Sequence, residues 1–302
     1  MQKKIITKIS EGLGNQLFMY ANSFALSKKF NLDFYIDTQS GYYKKKEVYN
    51  FMLSHFKISS KIAPPKYLFA NTQRNILKKI LIFFDKFSEK KKFIFEKRSK
   101  EKITNFYDFD IKKTNNIFFL DGNFESEKYF LEFKNDLYKE LSIKNHKQFS
   151  NNKYLNYIKN RNVVSICIRQ NRFSERFNNK SHIKSIDKSK LFVNQTIDYI
   201  YRAIDFFDNQ IDDPLYLIWS NDFKNLNNFF SSNRFIFVDN KKNKILTDFF
   251  LLTQCKNFIV SPSTFNWWGA WLSKYEDKIC LRPKNLNNSN NTDFWPEKWI
   301  SI

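Results

Sequence analysis

Three apolar runs in the second half of the chain each end abruptly in side chains that bind anions or exchange hydrogen bonds. VVSICI (163–168) gives way to Arg169, Gln170, Asn171 and Arg172. LYLIW (215–219) gives way to Ser220, Asn221 and Asp222, and NFIV (257–260) to Ser261, Pro262, Ser263 and Thr264. An arginine guanidinium is a planar fork of donors that fits a diphosphate in bidentate fashion. Ser263 or Thr264 can cap a following helix, whose first N–H groups and positive dipole end suit a phosphate. Asp222 can accept from the donors of a guanine edge or from ribose hydroxyls. Together these describe a nucleotide-diphosphate site with no metal requirement; taken singly, each is an ordinary cap or surface residue.

Other chemistry is poorly supplied. Gly12 and Gly14 in EGLGNQ let the backbone turn sharply or approach a ligand, but the spacing is neither GxGxxG nor GxxxxGK[ST]. A tight turn between strand and helix explains them equally well. His55, His146 and His182 lie outside strand ends and form no spaced pair, so neither a Ser/His/Asp arrangement nor a metal site is expected. Glu175, just past the Arg169 turn, is the best-placed carboxylate for a general base, with a solvated loop residue as the alternative. Trp267, Trp268 and Trp271 share one helix with Gly269, and core packing is the default reading of such a stripe.

The elements that must position these residues follow from the apolar pattern. KIITKIS reads as a strand, EGLGNQ as a turn, Leu17 to Phe30 as a helix and LDFYID as a second strand, a βαβ opening. Residues 40–110 mix aromatic and basic side chains around Pro64 and Pro65 and predict variable helices and loops. A strand at Ile117–Leu120 then turns at Gly122 into a helix carrying Tyr129, Phe130, Phe133 and Leu137. The polar stretch 141–162 reads as a linker. Beyond it strands and helices alternate cleanly: strand 163–168, a helix around 190–206, LYLIWS, helix DFKNLNNFF, FIFV, helix KILTDFFLLTQC, NFIVS, helix STFNWWGAWLSKY and KICL. Strands separated by helices imply right-handed crossovers and a parallel sheet covered on both faces, in an α/β class. Ligands of such sheets sit outside the carboxyl ends of the strands, where Arg169 stands. Two domains are expected, 1–155 and 156–302.

Composition bounds the function. The 302 residues carry a net charge of +21, mostly Lys scattered along the whole chain, which reads as a solvated basic surface rather than a nucleic-acid site. Nucleic acid is therefore not an expected partner. The densest basic stretches, 41–50 and 87–102, would suit contact with an anionic bilayer. Cys167, Cys255 and Cys280 are odd in number, far apart and without metal-ligand spacing, which predicts reduced thiols and a reducing compartment. No run of about 18 apolar residues occurs, and MQKKIITKIS is too weakly apolar for a signal peptide. A cytoplasmic protein, soluble or peripheral on the inner face of the plasma membrane, is expected.

EGLGNQLFMYA, DGNFESEKYF, WSNDF, DFFLLTQCKNFIVSPSTFNWWGAWLS and DFWPEKW occur in order over nearly the whole chain. The set resembles the bacterial α-1,2-fucosyltransferase family, glycosyltransferase family 11. The resemblance implies a GT-B fold, two Rossmann-like domains facing across a cleft with the nucleotide sugar on the C-terminal one. It implies inverting, metal-independent transfer from GDP-β-L-fucose to the 2-hydroxyl of a galactoside, in a bacterial surface glycan or glycolipid such as an O-antigen or capsule repeat. On that reading Arg169 neutralises the leaving diphosphate with help from Ser263, Thr264 and the helix start, while Ser220, Asp222 and Asn266 complete the GDP-sugar site. Gly12, Gly14, Asn15 and Gln16 would line the cleft on the acceptor side.

One departure bears on the activity. The family's strand-end motif H-x-R-R-G-D-[YF] reads Cys167, Ile168, Arg169, Gln170, Asn171, Arg172, Phe173 here. The first arginine is kept; the histidine, second arginine and aspartate are replaced. Another GDP-sugar, another linkage, or a catalytically silent glycan-binding relative are the alternatives this leaves.

Overall fold

In a computed structural model of the chain, the structure describes residues 2–43, 49–97, 104–173, 183–240, 244–287 and 291–302. The chain divides into two units, one of Met1–Asn145 with Ser289–Pro296 and the other of His146–Asn288 with Glu297–Ile302.

The first unit contains β1 (Lys4–Lys8), α1 (Leu13–Phe30), β2 (Asp33–Asp37), β3 (Lys61–Ile62), α2 (Thr72–Asp85), β4 (Lys91–Phe95), β5 (Thr114–Asp121) and α3 (Lys134–Glu140). Its strands run in the order β3-β2-β1-β5-β4, all parallel. Helix α1 is buried from Leu13 to Leu26 except at Asn15. It ends at Asn31, whose left-handed backbone (φ 51°) lets the Leu32 N–H return to the Ser27 carbonyl at 2.9 Å. Ile6, Ala63, Phe69, Phe93 and Phe119 form a core cluster, with the Phe93 and Phe119 rings stacked at 5.1 Å.

The second unit contains α4 (Lys153–Asn160), β6 (Val163–Ile168), α5 (Ile183–Asp208), β7 (Leu215–Ser220), β8 (Phe235–Phe237), α6 (Lys244–Gln254), β9 (Asn257–Ile259), α7 (Thr264–Leu272), β10 (Ile279–Arg282) and β11 (Ile300–Ser301). The order is β11-β10-β9-β6-β7-β8, again all parallel. Every residue of β6 and β7 is buried. Helices cover both faces of such a sheet, which is why these strands read as unbroken apolar runs rather than alternating ones.

The tryptophans of α7 are core. Trp267 and Trp268 are fully buried, and Trp271 lies against both at 5.9 and 5.2 Å between ring centroids. Gly269 makes this possible: a Cβ there would stand 2.8 Å from the Leu252 Cβ on α6. Gly269→Ala is therefore expected to destabilise the protein by about 1–3 kcal/mol through overpacking, read as a lower urea midpoint at unchanged slope.

Four expectations change. Residues 127–133 form short 3-10 turns, and the helix after β5 begins only at Lys134. The supposed linker contains α4, whose Tyr154, Leu155 and Ile158 are buried; one turn and a half of apolar spacing is too short to stand out among asparagines and lysines. DFKNLNNFF forms a single 3-10 turn at Leu226–Asn228, because Asn225 adopts a left-handed backbone (φ 65°) that breaks the helix. The region 40–110, expected to hold helices and loops, has its helix in α2 but also supplies two strands, β3 and β4, to the sheet.

Candidate active site

From β6 the chain moves outward through β7 and β8, then returns to β9 on the other side of β6 and moves outward again through β10 and β11. The reversal between β6 and β9 opens a crevice at their carboxyl ends, because the two following loops depart in opposite directions. A cavity of about 340 Å³ lies there. Ile168 and Arg169 come from the end of β6, and Trp219, Ser220 and Asn221 from the end of β7. The start of α6 gives Lys244, Ile245 and Asp248, and the start of α7 gives Ser263, Phe265 and Asn266.

The turn after β6 is tied to both neighbouring loops. The Gln170 N–H donates to Asn221 Oδ1 (2.8 Å), and Asn221 Nδ2 donates to the Gln170 carbonyl (3.0 Å), so the Asn221 amide extends the β6–β7 pairing beyond the last strand residues. Gln170 Nε2 also donates to the Asp222 and Lys224 carbonyls at 2.7 and 3.1 Å. On the other side Arg172 Nη1 donates to the Pro262 carbonyl (2.7 Å), and its guanidinium lies over the Phe192 ring at 4.9 Å. Asn171 adopts a left-handed backbone (φ 55°), which asparagine tolerates better than most residues and which explains how it stands in the family's glycine position. Gln170, Asn171 and Arg172, which stand in the motif's second arginine, glycine and aspartate positions, therefore hold the turn that carries Arg169.

The expected site residues are placed as follows. Arg169, Ser220, Ser263 and Asn266 line the cavity. Ser263 is the residue preceding α7, but its side chain makes no capping hydrogen bond, contrary to expectation. The Ser263 N–H instead bonds the Ser261 carbonyl at 2.7 Å, and Asn266 Nδ2 donates to Ser261 Oγ at 2.8 Å. Thr264 is buried and is not among the lining residues. Nor is Asp222: its Oδ1 accepts the Lys224 N–H (2.9 Å) and its Oδ2 accepts from Asn171 (3.4 Å) within the turn. Glu175 lies outside the described residues.

Gly12, Gly14, Asn15 and Gln16 sit together in the first unit, at the carboxyl end of β1. The left-handed residue of that turn is Glu11 (φ 65°), while Gly12 is extended (φ −75°). Asn15 donates to the Glu11 carboxylate. Gln16 is fully buried: its Nε2 donates to the Glu11 and Asn50 carbonyls and its Oε1 accepts the Met52 N–H, each at 2.8 Å. Its amide is thus spent on holding the 50–52 segment against α1.

Asp248 is the residue the sequence reading missed. It is buried on α6, lines the cavity and accepts from Asn240 Nδ2 at 2.6 Å. Burial pushes its carboxyl up to about 6, against the opposing pull of the Asn240 hydrogen bond and the Lys244 charge. The signal was present as a carboxylate inside the apolar run ILTDFFLL, where a buried charge needs a purpose. Cys167, in the motif's histidine position, is buried, and burial raises its thiol well above the ordinary range. Among the described residues, no group of three or more His, Cys, Asp or Glu side chains is placed to hold a metal ion.

Known proteins share this architecture. A NodZ α-1,6-fucosyltransferase, from crystals soaked with GDP-fucose, superposes with a TM-score of 0.52 over 92% of this chain and 97% of its own, at 11% identity. An Arabidopsis thaliana FUT1 variant in complex with GDP gives 0.52 over 94% of this chain and 71% of its own, at 14% identity. At such identities the likeness is one of fold, and the fold is of the GT-B type. By sequence, the Escherichia coli O-antigen biosynthesis glycosyltransferase WbnK is 25% identical over 97% of this chain and 99% of its own length. An Escherichia coli α-1,2-colitosyltransferase is likewise 25% identical over 99% of this chain and 98% of its own length. The family described as Glycosyl transferase family 11 matches residues 4–302, so the chain belongs to glycosyltransferase family 11.

Proposed function

We propose that this family 11 glycosyltransferase transfers L-fucose from GDP-β-L-fucose to the 2-hydroxyl of a galactoside in a bacterial surface glycan, with inversion and without a metal. The observation that carries the reading is the cavity at the β6–β9 reversal, on which Arg169, Asp248 and the start of α7 converge. In this reading Arg169 and the first N–H groups of α7 hold the diphosphate, with Ser263 and Thr264 beside them. Asp248 accepts from the two donors on the guanine edge. Ser220 and Asn266 line the same space, and Asp222 acts by shaping the turn after β7.

The acceptor oxygen attacks the anomeric carbon from the face opposite GDP, forming the new C–O bond as the bond to the diphosphate breaks. The electron pair leaves with GDP, and the hydroxyl proton goes to a base. Charge grows on the diphosphate in the transition state, where the Arg169 fork strengthens its hold. Glu175 is the base this reading proposes, and the turn at Gly12 and Asn15 supplies the acceptor side of the first unit, with buried Gly14 and Gln16 holding that turn in place. The O-antigen role of WbnK supports a surface-glycan acceptor, met by a protein that touches an anionic membrane from the cytoplasm without crossing it. No described helix is long and apolar enough to span a bilayer.

The colitosyltransferase relative favours a second reading, the same α-1,2 linkage made with a different GDP-sugar. The deciding measurement is GDP release from GDP-fucose, with and without galactoside acceptors, in EDTA, with the product linkage read by NMR. Acceptor-dependent release and a fucosyl 2-O linkage are expected. Turnover with another GDP-sugar alone selects the second reading, and release abolished by EDTA removes the metal-free mechanism. In the same assay Glu175→Gln is expected to lose most turnover; unchanged turnover clears it of base duty.

A further inference from the structure

Helix α2 presents an apolar stripe to solvent. Ile76, Leu77, Ile80, Phe83, Phe84 and Phe87 are each 41–77% exposed, and no residue of the helix is buried. At about 100° per residue these six positions fall within an arc of about 120°, one continuous face. The Phe87 N–H bonds the Phe84 carbonyl at 3.1 Å, which continues the turn beyond the helix end and brings Phe87 to 5.7 Å from Phe83.

The helix is held firmly by its other face. Leu81 and Ile82 pack on the core cluster of the first unit, and Lys78 pairs with Asp121 at 3.0 Å. The Asp85 carboxylate accepts the Lys92 and Phe93 N–H groups at 2.7 and 2.9 Å, which fixes the helix end to β4. Six large apolar side chains are thus displayed on a docked scaffold.

Charge decides what covers them. Lys79, Lys86 and Lys90 are exposed beside or just beyond the stripe, while of the two acids between 72 and 92, Asp85 is taken up by backbone N–H groups and Glu89 is exposed, so the basic groups outnumber it three to one. Lys91 does not contribute outward, because its ammonium binds the Asp85, Lys86 and Ser88 carbonyls at 2.8–3.0 Å. A second copy of a chain carrying +21 would bring like charge to like charge, whereas an anionic lipid surface offers opposite charge around an apolar interior.

We propose that α2 and the turn after it are the surface by which this protein lies on an anionic lipid bilayer. Phe83, Phe84 and Phe87 enter the acyl boundary, and Lys79, Lys86 and Lys90 sit among the headgroups. This gives a place to the membrane contact of the reading above, on which it rests only for the benefit of reaching a membrane-held acceptor.

The test is flotation of the full chain with vesicles of phosphatidylcholine alone or with one-third phosphatidylglycerol, at low salt. The native chain is expected to float with the anionic vesicles. Phe83→Ser/Phe84→Ser/Phe87→Ser is expected to lower that partitioning about tenfold or more, with its melting transition and GDP binding unchanged. A polarity-sensitive dye on Phe84→Cys is expected to shift to the blue with anionic vesicles only. Failure of the native chain to float, or equal flotation of the triple variant, overturns the proposal. So does a native dimer that the triple variant dissolves, since the stripe then faces a second copy. None of these readouts requires sugar transfer, so the membrane surface and the fucosyl reading fail separately.

Discussion

Arg169→Ala is expected to lower kcat for transfer by about a hundredfold or more, with a smaller change in the KM for the donor. The split follows from where charge grows. In the proposed donor complex the diphosphate is already anionic and would be shared with the N–H groups at the start of α7. As the glycosidic bond breaks, further charge collects on the oxygen that leaves, and a bidentate guanidinium gains most at that moment. Arg169→Lys keeps the charge but loses the planar fork, so an intermediate loss is expected. The turn should survive both changes, because the Gln170–Asn221 pairing and the Arg172 to Pro262 hydrogen bond hold it independently. Single-turnover kinetics separate the step from product release. An unchanged chemical rate in Arg169→Ala would remove the residue from the diphosphate.

Asp248→Asn is expected to weaken GDP binding at pH 7.5 by about tenfold to a hundredfold, and ADP, which lacks the guanine donors, is expected to bind the native chain more weakly than GDP and to be unaffected by the change. A carboxylate accepts from both donors of the guanine edge, whereas an asparagine offers one acceptor and one mismatched donor. The pH dependence gives a second signature. Burial raises the Asp248 carboxyl to about 6, so acidification through that value protonates it and GDP affinity of the native protein should fall. Calorimetric titration across this range should show the fall in the native chain and a flat profile in the variant. Folding stability runs the opposite way. A carboxyl whose folded value exceeds its ordinary 3.8 contributes stability that is complete below 3.8 and lost as pH rises through about 6. The asparagine variant should lack that loss, and Asn240 Nδ2 can still donate to its side-chain oxygen. Weak affinity in a variant that melts at or above the native temperature would therefore report recognition and not damage.

Much of this was legible beforehand, for identifiable reasons. β6, β7 and the α7 helix announce themselves because both faces of a parallel strand and all faces of a core helix are apolar, so each run ends sharply where polar groups begin. Arg169, Ser220 and Ser263 stand at those sharp ends, and ligand sites of parallel sheets lie there. The tryptophan stripe beside Gly269 was readable as packing, and the ordered motifs as a family resemblance.

Other features needed the folded chain. Which strands are neighbours is a matter of long-range pairing, and only the adjacency of β6 and β9 shows that the Arg169 turn and the start of α7 share one crevice. Asp248 looks like part of a core helix until α6 turns that face toward the cavity. Gln170 and Arg172 read as losses in the motif, because a hydrogen bond to a loop 50 or 90 residues away has no local signature. The apolar residues of α2 have helical spacing in any context; solvent exposure of that face depends on what packs against the other. Sequence by itself determined most of the strands, their order and the chemistry at their ends, because these follow from local periodicity. Tertiary structure decided which ends meet and which faces stay uncovered, because contact between distant segments is set by the packing of the whole sheet.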